Sequence, residues 1–373
     1  MRRIVLFTLL LSALLLLPAV GRAQDIATSA RACAVIDAES GRLLLSHNAQ
    51  ERLPMASTTK VMTALLALER GNLNDRVVTG RNAFGVPGTS IYLDLGESLS
   101  LEEMLYGLML ASGNDAAVAI AEHIGGTVDE FARMMTDRAR ELGCTDTVFL
   151  TPHGLPADGH FTTARDLALI AREAMTHPMF REIVSTRRAV IPWSGHEWDR
   201  VLNNKHRLLA DYDGATGIKT GYTRAAGRCL VFGAARDGME IIGVVLNCAN
   251  WFDEAARLMD QAFDQYERCT LLCRGDCVRC IPVTDGFPGQ VQAVLAQDLS
   301  GIVPKNRLPQ LTLELPEKVD PPVTVGQVLG TARLILDGEC LGETDIVALQ
   351  NAAADTFAAH WHACWDHWML SGT

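Results

Sequence analysis

The stretch RCLVFGAARDGMEIIGVVLNC, Arg228 to Cys248, holds two strand-like runs, Arg228 to Ala235 and Glu240 to Cys248, on either side of Arg236-Asp237-Gly238. Asp-Gly between two such runs is the chemistry of a tight hairpin turn. A long amphipathic stretch, Phe252 to Tyr266, follows and reads as a helix. Near the other end, Ala32 to Asp37 and Leu43 to His47 flank the turn cluster Glu39-Ser40-Gly41 and predict a second hairpin. The chain between them is helical in pattern. From Ser57 to Glu69 the residues Val61, Met62, Leu65, Leu66 and Leu68 recur at helical spacing, with Gly71 as a stop, so this helix is expected to be almost wholly buried. Ser100 with Glu103 and Thr127 with Glu130 are capping boxes, and Gly125, Gly126 and Gly143 fall where helices end. Thr163 caps a stretch through Ala174 that Pro178 ends, after which Ile183 to Ile191 reads as extended. Strands at both ends bracketing helices predict an α/β fold: an antiparallel sheet with helices on both sides, an all-helical lobe, and an active site between lobe and sheet.

The N-terminus carries Arg2 and Arg3, an apolar run from Ile4 to Ala19 and small residues at Gly21 and Ala23. This is the pattern of a secretory signal cleaved after Ala23, since the run is about 16 residues where a bilayer span needs about 20. The domains expected are therefore residues 1–23 as signal peptide, 24–270 as catalytic domain, 271–350 as a small all-β domain with turns at Asp285-Gly286 and Asp320-Pro321-Pro322, and 351–373 as an amphipathic tail. The tail places Phe357, Trp361, Trp365 and Trp368 on one helical face, which suits peripheral contact with a membrane interface. Loss of Arg2, Arg3 and Arg22 takes the formal net charge from −11 to −14, which argues against nucleic acid as a partner.

Three short motifs occur in order: Ser57-Thr58-Thr59-Lys60, Ser112-Gly113-Asn114 and Lys219-Thr220-Gly221. Ser57 at the first turn of a helix leaves its backbone N–H free to stabilise an oxyanion, and Lys60 lies one turn away on the same face. A serine hydroxyl needs a base, and no His or Asp is close in sequence, so Lys60 is the candidate. Lysine is rare in this chain, occurring at Lys60, Lys205, Lys219, Lys305 and Lys318 only. An arginine cannot give up its proton, whereas a buried lysine near the ammonium of Lys219 can. Ser112 is placed to relay a proton to a leaving amine and Asn114 to hold a substrate carbonyl. Lys219 and Thr220 suit a terminal carboxylate, Gly221 lets a peptide approach the strand, and Tyr222 offers a second oxyanion N–H opposite that of Ser57. This chemistry calls for no cofactor.

With these motifs goes a wider likeness. Leu53-Pro54-Met55-Ala56 before Ser57, Ala111 to Ala116, Pro152-His153-Gly154-Leu155, Ala164-Arg165-Asp166 and Asp213 to Gly221 resemble the landmarks of the low-molecular-mass penicillin-binding D-alanyl-D-alanine carboxypeptidases, serine peptidases. The resemblance covers roughly residues 30 to 270. It implies a β-lactamase/transpeptidase-like fold and removal of the terminal D-alanine from peptidoglycan stem peptides through an acyl-enzyme on Ser57. It further implies Lys60 as base, Ser112 and Asn114 in proton transfer and positioning, Lys219 and Thr220 at the substrate carboxylate, inhibition by β-lactam antibiotics, and work outside the cytoplasm. The residues after about 275 resemble the family's small β-domain more loosely, and the tail lacks the Lys and Arg of a basic membrane anchor.

Two rivals are set against this. A serine β-lactamase would carry Glu-x-x-Leu-Asn; Asp199-Arg200-Val201-Leu202-Asn203 has Asp for Glu and lies close to Lys219. A non-catalytic wall-binding protein on the same fold would be expected to have lost Ser57 or Lys60. Cys269, Cys273, Cys277 and Cys280 lack the paired spacing of a zinc site and read as thiols or disulfides. His360, His362, Cys364 and His367 interleave with tryptophans and read as part of the interfacial tail, so no metal is expected.

Overall fold

The structure, a computed structural model, describes residues 24–357 and Trp361. The signal-peptide stretch and most of the tail, including Trp365, Trp368 and the tail histidines, lie outside the described residues. The chain divides into two units at Gln265/Tyr266.

The first unit is built on a six-stranded sheet. Its strands run, in spatial order, Gln24–Asp25, Leu43–His47, Ala32–Asp37, Met239–Leu246, Gly227–Arg236 and Ala215–Thr223. All neighbours are antiparallel except the short first pair. The predicted turn is made by Asp237 and Gly238, both at positive φ (50° and 76°), the conformation that makes Asp-Gly the favoured hairpin pair. Strand Ala32–Asp37 is buried at every position, so both sheet faces are covered. Helix Ala164–Thr176 packs on this strand and its neighbour Met239–Leu246, while Trp251–Gln265 packs on the strands Gly227–Arg236 and Met239–Leu246.

Helices Lys60–Arg70, Leu101–Tyr106, Asn114–Gly125 and Val128–Glu141 form the helical part, and their apolar residues join one core with Ala32, Ala34 and Ile36 of the sheet. Lys60–Arg70 is buried from Lys60 through Ala67, as its apolar spacing predicts. Ser100 and Glu103 form the complete capping box, whereas Thr127 caps Val128–Glu141 through one bond from Glu130 N. One expectation fails locally. Helix Ala164–Thr176 stops just before Pro178 as expected, but the chain does not turn extended there: Pro178 opens a new helix, Pro178–Ser185, at whose first turn its fixed φ fits and its missing N–H is not needed. The extended segment is therefore only Arg188–Ile191, paired with Arg200–Asn203.

From Tyr266 to Ala354 the named elements of the second unit are all strands. A five-stranded antiparallel sheet runs Cys277–Pro282, Gln290–Leu295, Glu339–Ala348, Val328–Leu336, Gln310–Glu314, with Tyr266–Leu272 paired separately to Leu299–Pro304. Ile281, Val291, Leu334 and Ile346 are at its core. Phe357 and Trp361 are exposed, their rings 6.4 Å apart.

Candidate active site

Ser57 lies in a single 3-10 turn, Ala56–Thr59, that runs into the buried helix Lys60–Arg70. The residue before it, Ala56, is held at φ +51°, a left-handed conformation that costs a non-glycine residue about 1–2 kcal/mol. Surrounding contacts hold it there. Thr59 Oγ1 donates to the Ala56 carbonyl (2.8 Å) and lies 2.9 Å from His160 Nε2. Leu150 N donates to His160 Nδ1 (3.0 Å), which fixes the proton on Nε2 and makes that nitrogen the donor to Thr59. Burial pushes the His160 pKa down to about 4, so the ring stays neutral near pH 7. Gly154 closes over the same carbonyl: a Cβ there would stand 1.8 Å from Ala56 O.

Lys60 is fully buried and its Nζ has three oxygen neighbours: Asn114 Oδ1 at 2.7 Å, the His153 carbonyl at 2.9 Å and Ser57 Oγ at 3.1 Å. The first two are oxygens that only accept, while the serine hydroxyl can also donate. Three neighbours plus Cε complete a tetrahedral nitrogen. Burial holds the Lys60 pKa well below that of a free lysine, with the Lys219 and then the Lys205 ammonium adding to the fall and Asp115 opposing it. Thr63, one turn on, donates to the Pro152 carbonyl (2.6 Å), so the same helix face fixes the segment that supplies the His153 oxygen.

Ser112 and Asn114 sit where a π-helical stretch, Gly107–Ala111, gives way to helix Asn114–Gly125. Ser112 is buried at φ +65°, and Gly113 is the N-cap, so Asn114 is the first residue of the helix rather than part of a turn. Asn114 Nδ2 donates to Pro87 O (2.7 Å) while its Oδ1 faces Lys60, which leaves the second N–H of the amide for a ligand. Asp115 accepts from the backbone N–H groups of Ile91 and Leu93 (3.1 Å each) and from Ser90, tying down the loop that carries Pro87. The structure records no hydrogen bond from the Ser112 hydroxyl to Ser57 or Lys60 among the described residues.

Lys219, Thr220 and Gly221 lie within the edge strand Ala215–Thr223, not at its start. Ala215 to Ile218 pair with Phe232 to Ala234 across a register shift near Gly217 (φ +112°), so the strand begins before Lys219. Gly221 passes close to the serine turn, since a Cβ on it would be 2.9 Å from Ser57 N. Lys219 is buried, which lowers its pKa to about 7 with a smaller push from Lys205. Tyr222, with an exposed side chain, follows on the same free edge.

The structure thus brings Ser57, Lys60, Asn114 and Gly221 into direct contact or close approach, and places Ser112, Lys219, Thr220 and Tyr222 on the elements beside them. Gly154, His160, Asp115 and Lys205 were not singled out by sequence. Only Gly154 and Asp115 stood inside quoted landmarks, without a role. Among the described residues the cysteines are free thiols, and no group of three His, Cys, Asp or Glu is placed to hold a metal. Asp199 is exposed, and the next residue, Arg200, is buried in an ion pair with Glu97 (2.6 Å).

Residues 19–250 match the family model described as D-alanyl-D-alanine carboxypeptidase, and residues 266–354 match that of the penicillin-binding protein 5 C-terminal domain. The chain is 33% identical over 343 residues to the D-alanyl-D-alanine carboxypeptidase DacF of Bacillus subtilis, covering 88% of this chain and 87% of that one. To DacC of Escherichia coli it is 31% identical over 361 residues, covering 91% and 88%. The crystal structure of penicillin-binding protein 5 from Haemophilus influenzae superposes with a TM-score of 0.73 at 28% identity, covering 89% of this chain and all of that one. On its fold, its motifs and these matches, the chain belongs to the D-alanyl-D-alanine carboxypeptidase family and is a carboxypeptidase.

Proposed function

We propose that the enzyme works through an acyl-enzyme on Ser57, with Lys60 as the base. The observation that carries this is the Lys60 environment. A neutral amine has two N–H groups and one lone pair; Asn114 Oδ1 and the His153 carbonyl take the two N–H groups, so the lone pair points at the Ser57 hydroxyl. Burial first, and then the neighbouring Lys219 ammonium, lower the Lys60 pKa, so Lys60 is the lysine that gives up its proton first.

Lys60 takes the Ser57 proton as Oγ attacks the carbonyl carbon of the penultimate D-alanine. The resulting oxyanion faces the N–H groups of Ser57 and Tyr222. Collapse breaks the peptide bond, and the departing D-alanine nitrogen receives the proton from Lys60 by way of the Ser112 hydroxyl. Water, deprotonated by Lys60, then cleaves the ester and frees the shortened peptide with Ser57 restored. Lys219 and Thr220 hold the terminal carboxylate, and Asn114 the substrate amide carbonyl. A β-lactam forms the same ester but keeps its amine tethered, so penicillin is expected to inhibit. The wall substrate places the mature enzyme outside the cytoplasm, with residues 1–23 as its export signal and 24–270 as its catalytic domain. Residues 271–350 form an accessory β-domain, and 351–373 rest on the membrane surface through their tryptophans.

The test is D-alanine release from a peptide ending in D-alanyl-D-alanine by wild type, Ser57→Ala and Lys60→Ala. Release by wild type and none by either variant is expected; release by Ser57→Ala overturns the acyl-enzyme. Rapid penicillin turnover by wild type would instead identify a β-lactamase.

A further inference from the structure

The turn from Thr151 to Leu155 carries the carbonyl that faces Lys60, and its own side chains hold it. Thr151 Oγ1 accepts from Gly154 N (3.1 Å), and His153 Nδ1 accepts from Leu155 N (3.1 Å). Those two N–H groups belong to successive peptide units. The first unit joins His153 to Gly154, and its oxygen accepts from Lys60 Nζ at 2.9 Å. A peptide unit is planar, so a hydroxyl that fixes its N–H end also fixes the direction of its C=O end. One unit upstream, the Pro152 carbonyl accepts from Thr63 (2.6 Å). Lys60 and Thr63 stand three residues apart on one helix face, so the turn presents two successive carbonyls to that face while its side chains take the two amides that follow.

We infer that Thr151 and His153 are positioning residues for Lys60: their side chains clamp the two peptide units after His153 and so keep the His153 carbonyl aimed at the Lys60 amine. The turn has one further hold, the packing of Gly154 on Ala56 O, where a Cβ would stand 1.8 Å away. That contact limits how near the turn can come but does not set the tilt of the peptide plane. Both clamps persist near pH 7. The threonine hydroxyl does not titrate there, and burial, then the charge of Lys60, hold the His153 pKa down to about 3, which keeps Nδ1 an acceptor.

The clamp matters only if Lys60 is the base of Ser57, so it rests on the proposed acyl-enzyme, and the experiment separates the two. Acylation by an uncharged thioester substrate is followed against pH for wild type, Thr151→Val, Thr151→Ser, His153→Leu and His153→Asn, with thermal melting in parallel. Valine keeps the shape of threonine without its acceptor, and serine keeps the hydroxyl. Asparagine can accept from the N–H two residues on, as His153 does, and leucine cannot. A loosened carbonyl leaves one Lys60 N–H unclaimed, so the lone pair is no longer aimed at Ser57. It also withdraws an acceptor that favours the ammonium over the neutral amine. In Thr151→Val and His153→Leu the high-pH plateau should therefore fall about tenfold, and the acid limb should move to lower pH by up to about one unit. Thr151→Ser and His153→Asn should stay close to wild type. The other charges that bear on Lys60, those of Lys219, Lys205 and Asp115, are the same in all five proteins, and a loss of stability alone lowers the melting temperature without moving the limb. Folded Thr151→Val and His153→Leu proteins that acylate as fast as wild type with an unmoved limb overturn the clamp; a wild type that is not acylated at Ser57 overturns the reading beneath it.

Discussion

The positioning of Ser57 by the Gly154 contact can be tested with a matched pair of substitutions. In Gly154→Ala the new Cβ would sit 1.8 Å from Ala56 O, 2.4 Å from Ala56 C and 2.7 Å from Thr59 Oγ1. Carbon is essentially never found within 3.0 Å of such atoms, so the Ala56 peptide has to retreat by more than an ångström. That peptide leads directly into Ser57, and a misplacement of this size costs about 10²-fold in rate. The substituted residue also carries φ +83°, adding about 1–2 kcal/mol of backbone strain. Gly143→Ala is the control, because it imposes similar strain at φ +76° with nothing within 4 Å of the new Cβ. The assay is the second-order rate of acylation by a fluorescent penicillin, with thermal melting followed in parallel. Both variants should melt earlier than wild type, but only Gly154→Ala should acylate about 100-fold more slowly. A folded Gly154→Ala protein that acylates within threefold of wild type would refute the reasoning.

Other consequences follow from the same contacts. His160→Ala removes the donor to Thr59 and leaves the Leu150 N–H without its acceptor, so acylation should slow about tenfold, and His160→Gln, which can donate and accept, should recover most of it. In Lys219→Gln the loss of a neighbouring positive charge raises the Lys60 pKa, so the acid limb of acylation against pH, measured with an uncharged thioester substrate, should move to higher pH; an unmoved limb contradicts the coupling. Arg200→Met strands the buried Glu97 carboxylate and should cost about 3–5 kcal/mol in denaturant unfolding, while Glu97→Leu combined with Arg200→Met should regain more than half.

Much of this protein can be read from local pattern. The Asp237-Gly238 hairpin, the Ser100–Glu103 box and the buried face of Lys60–Arg70 depend on neighbours a few residues away, and their sequence signals correspond to what forms. Pro178 shows where local signals are two-sided, since a proline that closes one helix can be the first residue of the next. The first two motifs marked Ser57, Lys60 and Asn114, which the fold brings within hydrogen-bonding distance of one another through Lys60, because serine, lysine and asparagine carry their chemistry wherever they fall. Their support was not legible. Thr59 meets His160 across 101 positions, Lys60 meets the His153 carbonyl across 93, and Gly154 matters only because Ala56 O lies over it. The depressed lysine pKa values likewise arise from burial that the folded chain imposes on both.

The most direct measurement is mass spectrometry of a tryptic digest after brief exposure of wild type and Ser57→Ala to penicillin. The account predicts a penicilloyl adduct on the peptide Leu53–Lys60 of wild type, fragmenting to Ser57, and none in the variant. An adduct on another residue, or an unmodified Ser57 in an enzyme that still releases D-alanine, would contradict it.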